Sequence, residues 1–131
     1  MNSKRVHATR SEGLHIKRVY AAPAASDGQR ILVDRLWPRG LTKEKAHIDE
    51  WLKEVAPSDA LRHRFHHDPA LWSDFVAAYA QELDKEPALA AARSIIETLT
   101  HSTVTLVYGA KDEEHNNAAA LRDWLLARRE P

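Results

Sequence analysis

An α/β fold is predicted by three observations. Ile31, Leu32 and Val33, and the VTLVY run ending at Tyr108, are short, continuously apolar and rich in β-branched residues, as strands buried on both faces are. Stretches with apolar residues at helical spacing lie between these runs and after the second. Each run leads into a polar, turn-rich segment, and open α/β sheets bind their ligands outside the carboxyl ends of the strands.

The elements follow in order. Residues 1–13, MNSKRVHATRSEG, are polar and basic with no apolar core, so they are expected to be a frayed tail and neither a secretory signal nor a membrane anchor. A single domain is expected over 14–131. Leu14, Ile16, Arg18 and Tyr20 alternate with His15, Lys17 and Val19 in a β-like stretch, ended by AAPAASDG at 21–28. The Ile31 run follows and is closed by Pro38 and Gly40. The connection from Tyr20 to Arg30 is about the shortest that carries a parallel crossover, so these two strands are either parallel or a hairpin. Thr42 is placed to cap a helix in which Ile48, Trp51, Leu52 and Val55 share a face, stopped by Pro57.

Ser58 is placed to cap a short helix carrying Leu61 and Phe65, and Asp68 with Pro69 starts the next. The apolar stripe of that helix is Trp72, Phe75, Val76, Tyr79 and Leu83. Pro87 breaks it and opens another, with Leu89, Ala92, Ile96 and Leu99 facing inward. After VTLVY, Asp112 is placed to cap a last helix from about Glu113 to Arg129, burying Ala118, Leu121 and Leu125. The sum is a small, mostly parallel sheet of about three strands with helices packed on its faces, a Rossmann-like three-layer arrangement.

A chain of 131 residues and 14.8 kDa has room for one domain of ordinary size. Its 44% apolar residues suffice for a core, and 19 basic against 19 acidic residues leave no bulk charge to attract nucleic acid or an acidic membrane. With no cysteine there is no disulfide, thiolate metal site or thiol nucleophile, which fits a reducing, cytoplasmic setting. No apolar run approaches the roughly 18 residues of a spanning helix.

Polar chemistry collects after the two apolar strands. DRLWPRG supplies Asp34, Arg35, Trp37 and Arg39; GAKDEEHNN supplies Gly109, Lys111, Asp112, His115, Asn116 and Asn117. If the strands are parallel neighbours, the two loops converge on one crevice. Gly109 lets backbone approach a ligand closely, Arg39 or Arg35 can clamp a carboxylate or phosphate, and Lys111 adds a point charge. Asp112, Glu113 and Glu114 at a helix start would repel such an anion, and they also serve simply as caps and dipole partners. His115 can exchange a proton near neutral pH, with Asp34 orienting it; the alternative is a histidine bonded to its own turn. Asn116 and Asn117 are poor helix formers, which points to side chains used for bonding, to a ligand or to a loop. Trp37 is a packing lid or a stacking platform.

Other clusters are weaker. His63 and His67 lie four apart, a spacing that can hold a metal ion, but a zinc-protease helix needs glutamate where Arg64 stands. Ser58 lacks a nucleophile elbow. Arg35, Arg39, Arg62 and Arg64 could together face a nucleic-acid backbone. Walker, dinucleotide and deaminase signatures are missing, so no cofactor is expected.

KRVY, DGQRILVDRLWPRGLTKEKAHIDEWLKEVAPS, LRHRFHHDP and VTLVYGAKDEEHNNAAAL resemble the YeaO-like branch of the family known as domain of unknown function 488, from about Ile16 to Leu126. The resemblance implies a small cytosolic α/β protein and carries no activity with it. Longer members of the family resemble this chain at a strand-end LVDVR, like Leu32 to Arg35. They look to carry cysteine, glutamate and histidine-arginine where it has Gly109, Lys111, His115 and Asn116. That implies one site built from both loops, without the thiol chemistry.

Three functions are expected from these residues. The first is acid-base hydrolysis or transfer on a small anionic substrate, with His115 and Asp34 catalytic and Arg39 and Lys111 holding the anion. The second is a non-catalytic ligand-binding or regulatory module using the same crevice, and the third a nucleic-acid accessory protein.

Overall fold

The computed structural model describes residues 13–65 and 68–129. Apart from Gly13, the tail expected over 1–13 lies outside them. Four strands, β1 (Leu14–Arg18), β2 (Gln29–Leu32), β3 (Glu50–Trp51) and β4 (Val104–Tyr108), form an all-parallel sheet in the order β1-β4-β2-β3. Five helices accompany them: α1 (Lys43–Ala46), α2 (Asp59–Phe65), α3 (Trp72–Leu83), α4 (Ala88–Leu99) and α5 (Asn117–Arg129).

β4 is buried along its whole length because it pairs on both edges, Leu106 standing beside Ile16 on one side and Ile31 on the other. The question of a parallel crossover or a hairpin therefore resolves as the crossover: β1 and β2 run in the same direction, both parallel to β4, which lies between them.

The side-chain alternation of the strands divides the core. Leu14, Ile16, Ile31, Val33, Val104, Leu106 and Tyr108 pack beneath α2 to α5, against Phe65, Tyr79, Leu83, Ile95, Leu121 and Leu125. On the other face Val19, Leu32 and Val107 meet Ala46, Leu41, Ile48, Trp37 and Trp51. That second face is covered by residues 37–48 and the single turn of α1, a thinner third layer than a full set of helices.

A buried clamp completes this side. Asp27 and Arg30 are 5% and 4% exposed. The Arg30 guanidinium donates to Asp27 at 2.7 Å and to the carbonyls of Ala46 and His47, while Lys17 donates to Asp27 at 2.8 Å.

Two expectations are corrected. The helix read from Thr42 through Val55 ends at Ala46, where His47 turns left-handed at φ 52°. The following backbone joins the sheet instead: Asp49 N–H donates to the Arg30 carbonyl, Arg30 N–H donates to the Asp49 carboxylate, both at 2.8 Å, and Leu52 N–H reaches the Leu32 carbonyl. This makes β3, the fourth strand. The last helix starts at Asn117 rather than Glu113 because Asn116, not Asp112, caps it, its Oδ1 accepting from Ala119 N–H at 2.8 Å.

Candidate functional site

The chain leaves β2 toward Asp34 and leaves β4 at Gly109, on adjacent parallel strands, so both segments emerge at the same edge of the sheet. Gly109 N–H donates to Asp34 Oδ2 at 2.9 Å, and Asn117 Nδ2 donates to Asp34 Oδ1 at 3.2 Å and to the Val33 carbonyl at 3.0 Å. The Trp51 indole donates to the Asp34 carbonyl at 2.7 Å. A Cβ on residue 109 would stand 3.3 Å from Asp34 Oδ2, tighter than ordinary contact, which is what glycine avoids here.

Above this joint lies a hollow of about 220 Å³. Asp34, Arg35 and the exposed Leu36 form one side, and Ala110, His115, Asn116 and Asn117 form the base. Part of the lining is aromatic: Phe65 from α2, with Trp72 and Phe75 from α3. Trp72 stacks on Phe75 at 5.5 Å between ring centroids, and Phe75 meets Phe65 edge-on at 6.0 Å. Ala56 and Pro57 close one end, and Arg62 and Asp68 stand at the rim.

The polar groups are mostly committed to structure. Arg35 donates to the carbonyls of Ala56 and Pro57 at 3.1 and 3.3 Å, tying the β2 loop to the entry of α2. Asn116 is buried, donating to the Asp112 carbonyl and capping α5. His115 Nδ1 lies 3.1 Å from Asp112 Oδ2, and its ring meets Trp72 edge-on at 5.2 Å. The N–H groups of His115 and Glu114 hold the Asp112 carboxyl below the usual carboxylate range, so it stays an anionic partner for the imidazole.

Not all expected residues reach this place. Asp34, Arg35, His115, Asn116 and Asn117 line the hollow, Gly109 holds Asp34 beneath it, and Asp112 supports His115. Trp37 packs edge-on against Trp51 at 5.4 Å and donates to the Leu41 carbonyl, so it belongs to the opposite core. Arg39 is exposed beyond it, its carbonyl accepting from the Tyr20 hydroxyl, and Lys111 is exposed outside the lining. The anion clamp assigned to Arg39 and Lys111 therefore does not form around this hollow: residues 37–48 run onto the far face of the sheet and take Arg39 with them, and Lys111 is exposed outside the lining.

His63 is exposed on α2 and His67 lies outside the described residues; among the described residues no cluster of three His, Asp or Glu is arranged to hold a metal. The four arginines proposed for a nucleic acid are divided: Arg62 pairs with Asp59 at 3.0 Å, and Arg64 lies over the Phe65 ring. No helix of the described residues is long and apolar enough to cross a membrane.

The sequence reading missed Trp72, Phe75 and Phe65 as walls. Their helical spacing marked them as core, and a helix whose stripe faces a hollow at one end and the core at the other has the same pattern. Only their position beside the HHDP break hinted at exposure.

This sheet, with its loop joint at the ends of β2 and β4 and a hollow above that joint, defines a small parallel α/β protein. A family model described as the inactive DUF488-N3 subclade matches residues 13–130, and the chain belongs to that family. The uncharacterized protein YeaO of Escherichia coli is 40% identical over 112 residues, 86% of this chain and 96% of that protein. The uncharacterized protein Rv3073c of Mycobacterium tuberculosis is 37% identical over 119 residues, 91% and 98% of the two chains. No solved structure matches the chain significantly.

Proposed function

We propose that this protein is a non-catalytic module that binds a small molecule in the hollow between Asp34 and His115. The observation that carries the reading is the commitment of the reactive side chains. Both Asp34 carboxylate oxygens accept bonds that join the two strand-end loops, so the carboxylate expected to assist a proton transfer is tied into the structure instead. Among the described residues lining the hollow there is no hydroxyl, thiol or amine to serve as nucleophile. Ser58, nearby, accepts from Leu61 N–H as a helix cap and donates to Glu82. The description of the family's subclade as inactive agrees. A mostly apolar hollow with a few fixed polar groups is the usual character of a small-molecule site, and about 220 Å³ is below the roughly 300–1,000 Å³ of drug-sized pockets. The setting expected is the cytoplasm, as the cysteine-free composition suggests.

The acid-base reading rests on His115 alone, and one screen separates the two. Wild-type protein and Ala110→Leu, which fills the hollow, are compared by thermal shift against a fragment library, with ester, amide and phosphate-ester hydrolysis followed in parallel. Binding should raise wild-type stability by about 2.7 kcal/mol at a hundredfold excess over Kd and leave Ala110→Leu unshifted. Turnover lost in His115→Ala would overturn the non-catalytic reading, and hits indifferent to Ala110→Leu would remove the hollow as the site.

A further inference from the structure

We infer that the hollow selects a single flat ring bearing a carboxylate, the ring lying against Trp72 and the carboxylate on Arg35. This rests on the small-molecule reading above and names the ligand's class. Arg35 is half-buried and spends its hydrogen bonds on the neutral carbonyls of Ala56 and Pro57; no carboxylate among the described residues forms an ion pair with it. A partly desolvated guanidinium that faces a cavity without a counter-ion favours an anion there, and its planar fork suits a carboxylate.

Asp34 is the anion nearest in sequence, and it would repel a second one. Its charge is spent on the Gly109 N–H and the Asn117 amide, which face it from below the hollow. Asp68 at the rim is exposed and turned to the N–H of Ala70. Arg62 at the same rim adds positive charge, partly offset by Asp59.

The ring is indicated by the wall. Trp72 is half-buried and fixed by stacking on Phe75, and Trp72, Phe75 and Phe65 line the hollow together. A wall of rings fixed this way offers aromatic contact to a flat ligand at little entropic cost. A volume of about 220 Å³ accommodates one ring with its substituent.

The test is calorimetric titration of the full chain with benzoate and nicotinate, with benzamide, nicotinamide, cyclohexanecarboxylate and acetate as controls. The aromatic acids should bind at least fivefold more tightly than every control. Arg35→Met should weaken benzoate tenfold or more and Arg35→Lys, which keeps the charge, by less. Trp72→Leu should erase the preference for benzoate over cyclohexanecarboxylate. Because Arg35 also ties down Ala56 and Pro57, circular dichroism accompanies each variant, and Arg62→Gln, free of that duty, should weaken benzoate two- to fivefold. Equal binding of the amides would overturn the anion, and equal binding of cyclohexanecarboxylate would overturn the ring. Either leaves the binding reading standing, whereas no fragment of any class binding wild type defeats that reading itself.

Discussion

Asp34 connects the strand ends to the hollow, and its substitution should be felt in both. Asp34→Ala leaves the Gly109 N–H without its acceptor and the Asn117 amide with the Val33 carbonyl alone, and a group stranded in this way costs about 1–3 kcal/mol. Urea denaturation should show that loss, with Asp34→Asn recovering part of it through its remaining oxygen. Asp27 acts on the other side of the sheet. Burial pushes its carboxyl up, but Lys17, the Ala24 N–H and Arg30 outweigh burial and hold it down at about 2. The unfolded chain, with an ordinary carboxyl, then takes up its proton first as pH falls. The stability this group supplies is complete above about pH 5 and drains away as pH drops toward 2. The urea midpoint should follow that course, and Asp27→Ala, which strands the buried Arg30, should cost about 3–5 kcal/mol at neutral pH.

At the scale of elements, the caps decide where helices start. Ser58 accepts from Leu61 N–H to open α2 while its hydroxyl and N–H both reach Glu82 of α3, so one residue starts a helix and docks it. Its role was legible because a serine ahead of apolar residues at helical spacing has few other uses. Asn116 was harder to read. Asp112, Asn116 and Asn117 are all competent caps, and the choice depends on Asn117 reaching back to Val33, a contact across 84 positions of sequence. Asn116→Ala should cost about 1–2 kcal/mol and loosen the turn that carries His115, weakening binding in the hollow. Asn116→Asp keeps the acceptor for Ala119 N–H and should restore most of the stability, as thermal unfolding would show. β3 was illegible for a related reason: Glu50 and Trp51 are two residues of an edge strand, recruited by Asp49 pairing with Arg30 rather than by any apolar pattern of their own.

At the scale of the whole molecule, VTLVY was readable because a central strand buried on every side is short, β-branched and apolar apart from Thr105, whose buried hydroxyl donates to the Asp27 carbonyl. The neighbouring of β2 and β4 was readable only as a condition, since nothing in either strand names its partner. The joint of Asp34 with Gly109 follows once they are parallel neighbours. The aromatic wall does not follow, because Trp72 and Phe75 come from a helix laid over the strand ends by tertiary packing. Trp37 and Arg39 left the site for the same kind of reason: the loop after β2 has a second apolar face to cover, and Trp37, Leu41 and Ile48 are what it covers it with.

The central claim is that this strand-end hollow takes up a small acid. The most direct measurement is the proton–nitrogen correlation spectrum of the labelled protein during titration with benzoate. The amides of Arg35, Leu36, Ala110 and His115 should shift together and saturate, while those of Ala46 and Ile48 on the far face stay still. Shifts gathered on the far face, or a spectrum unchanged at saturating benzoate, would contradict it.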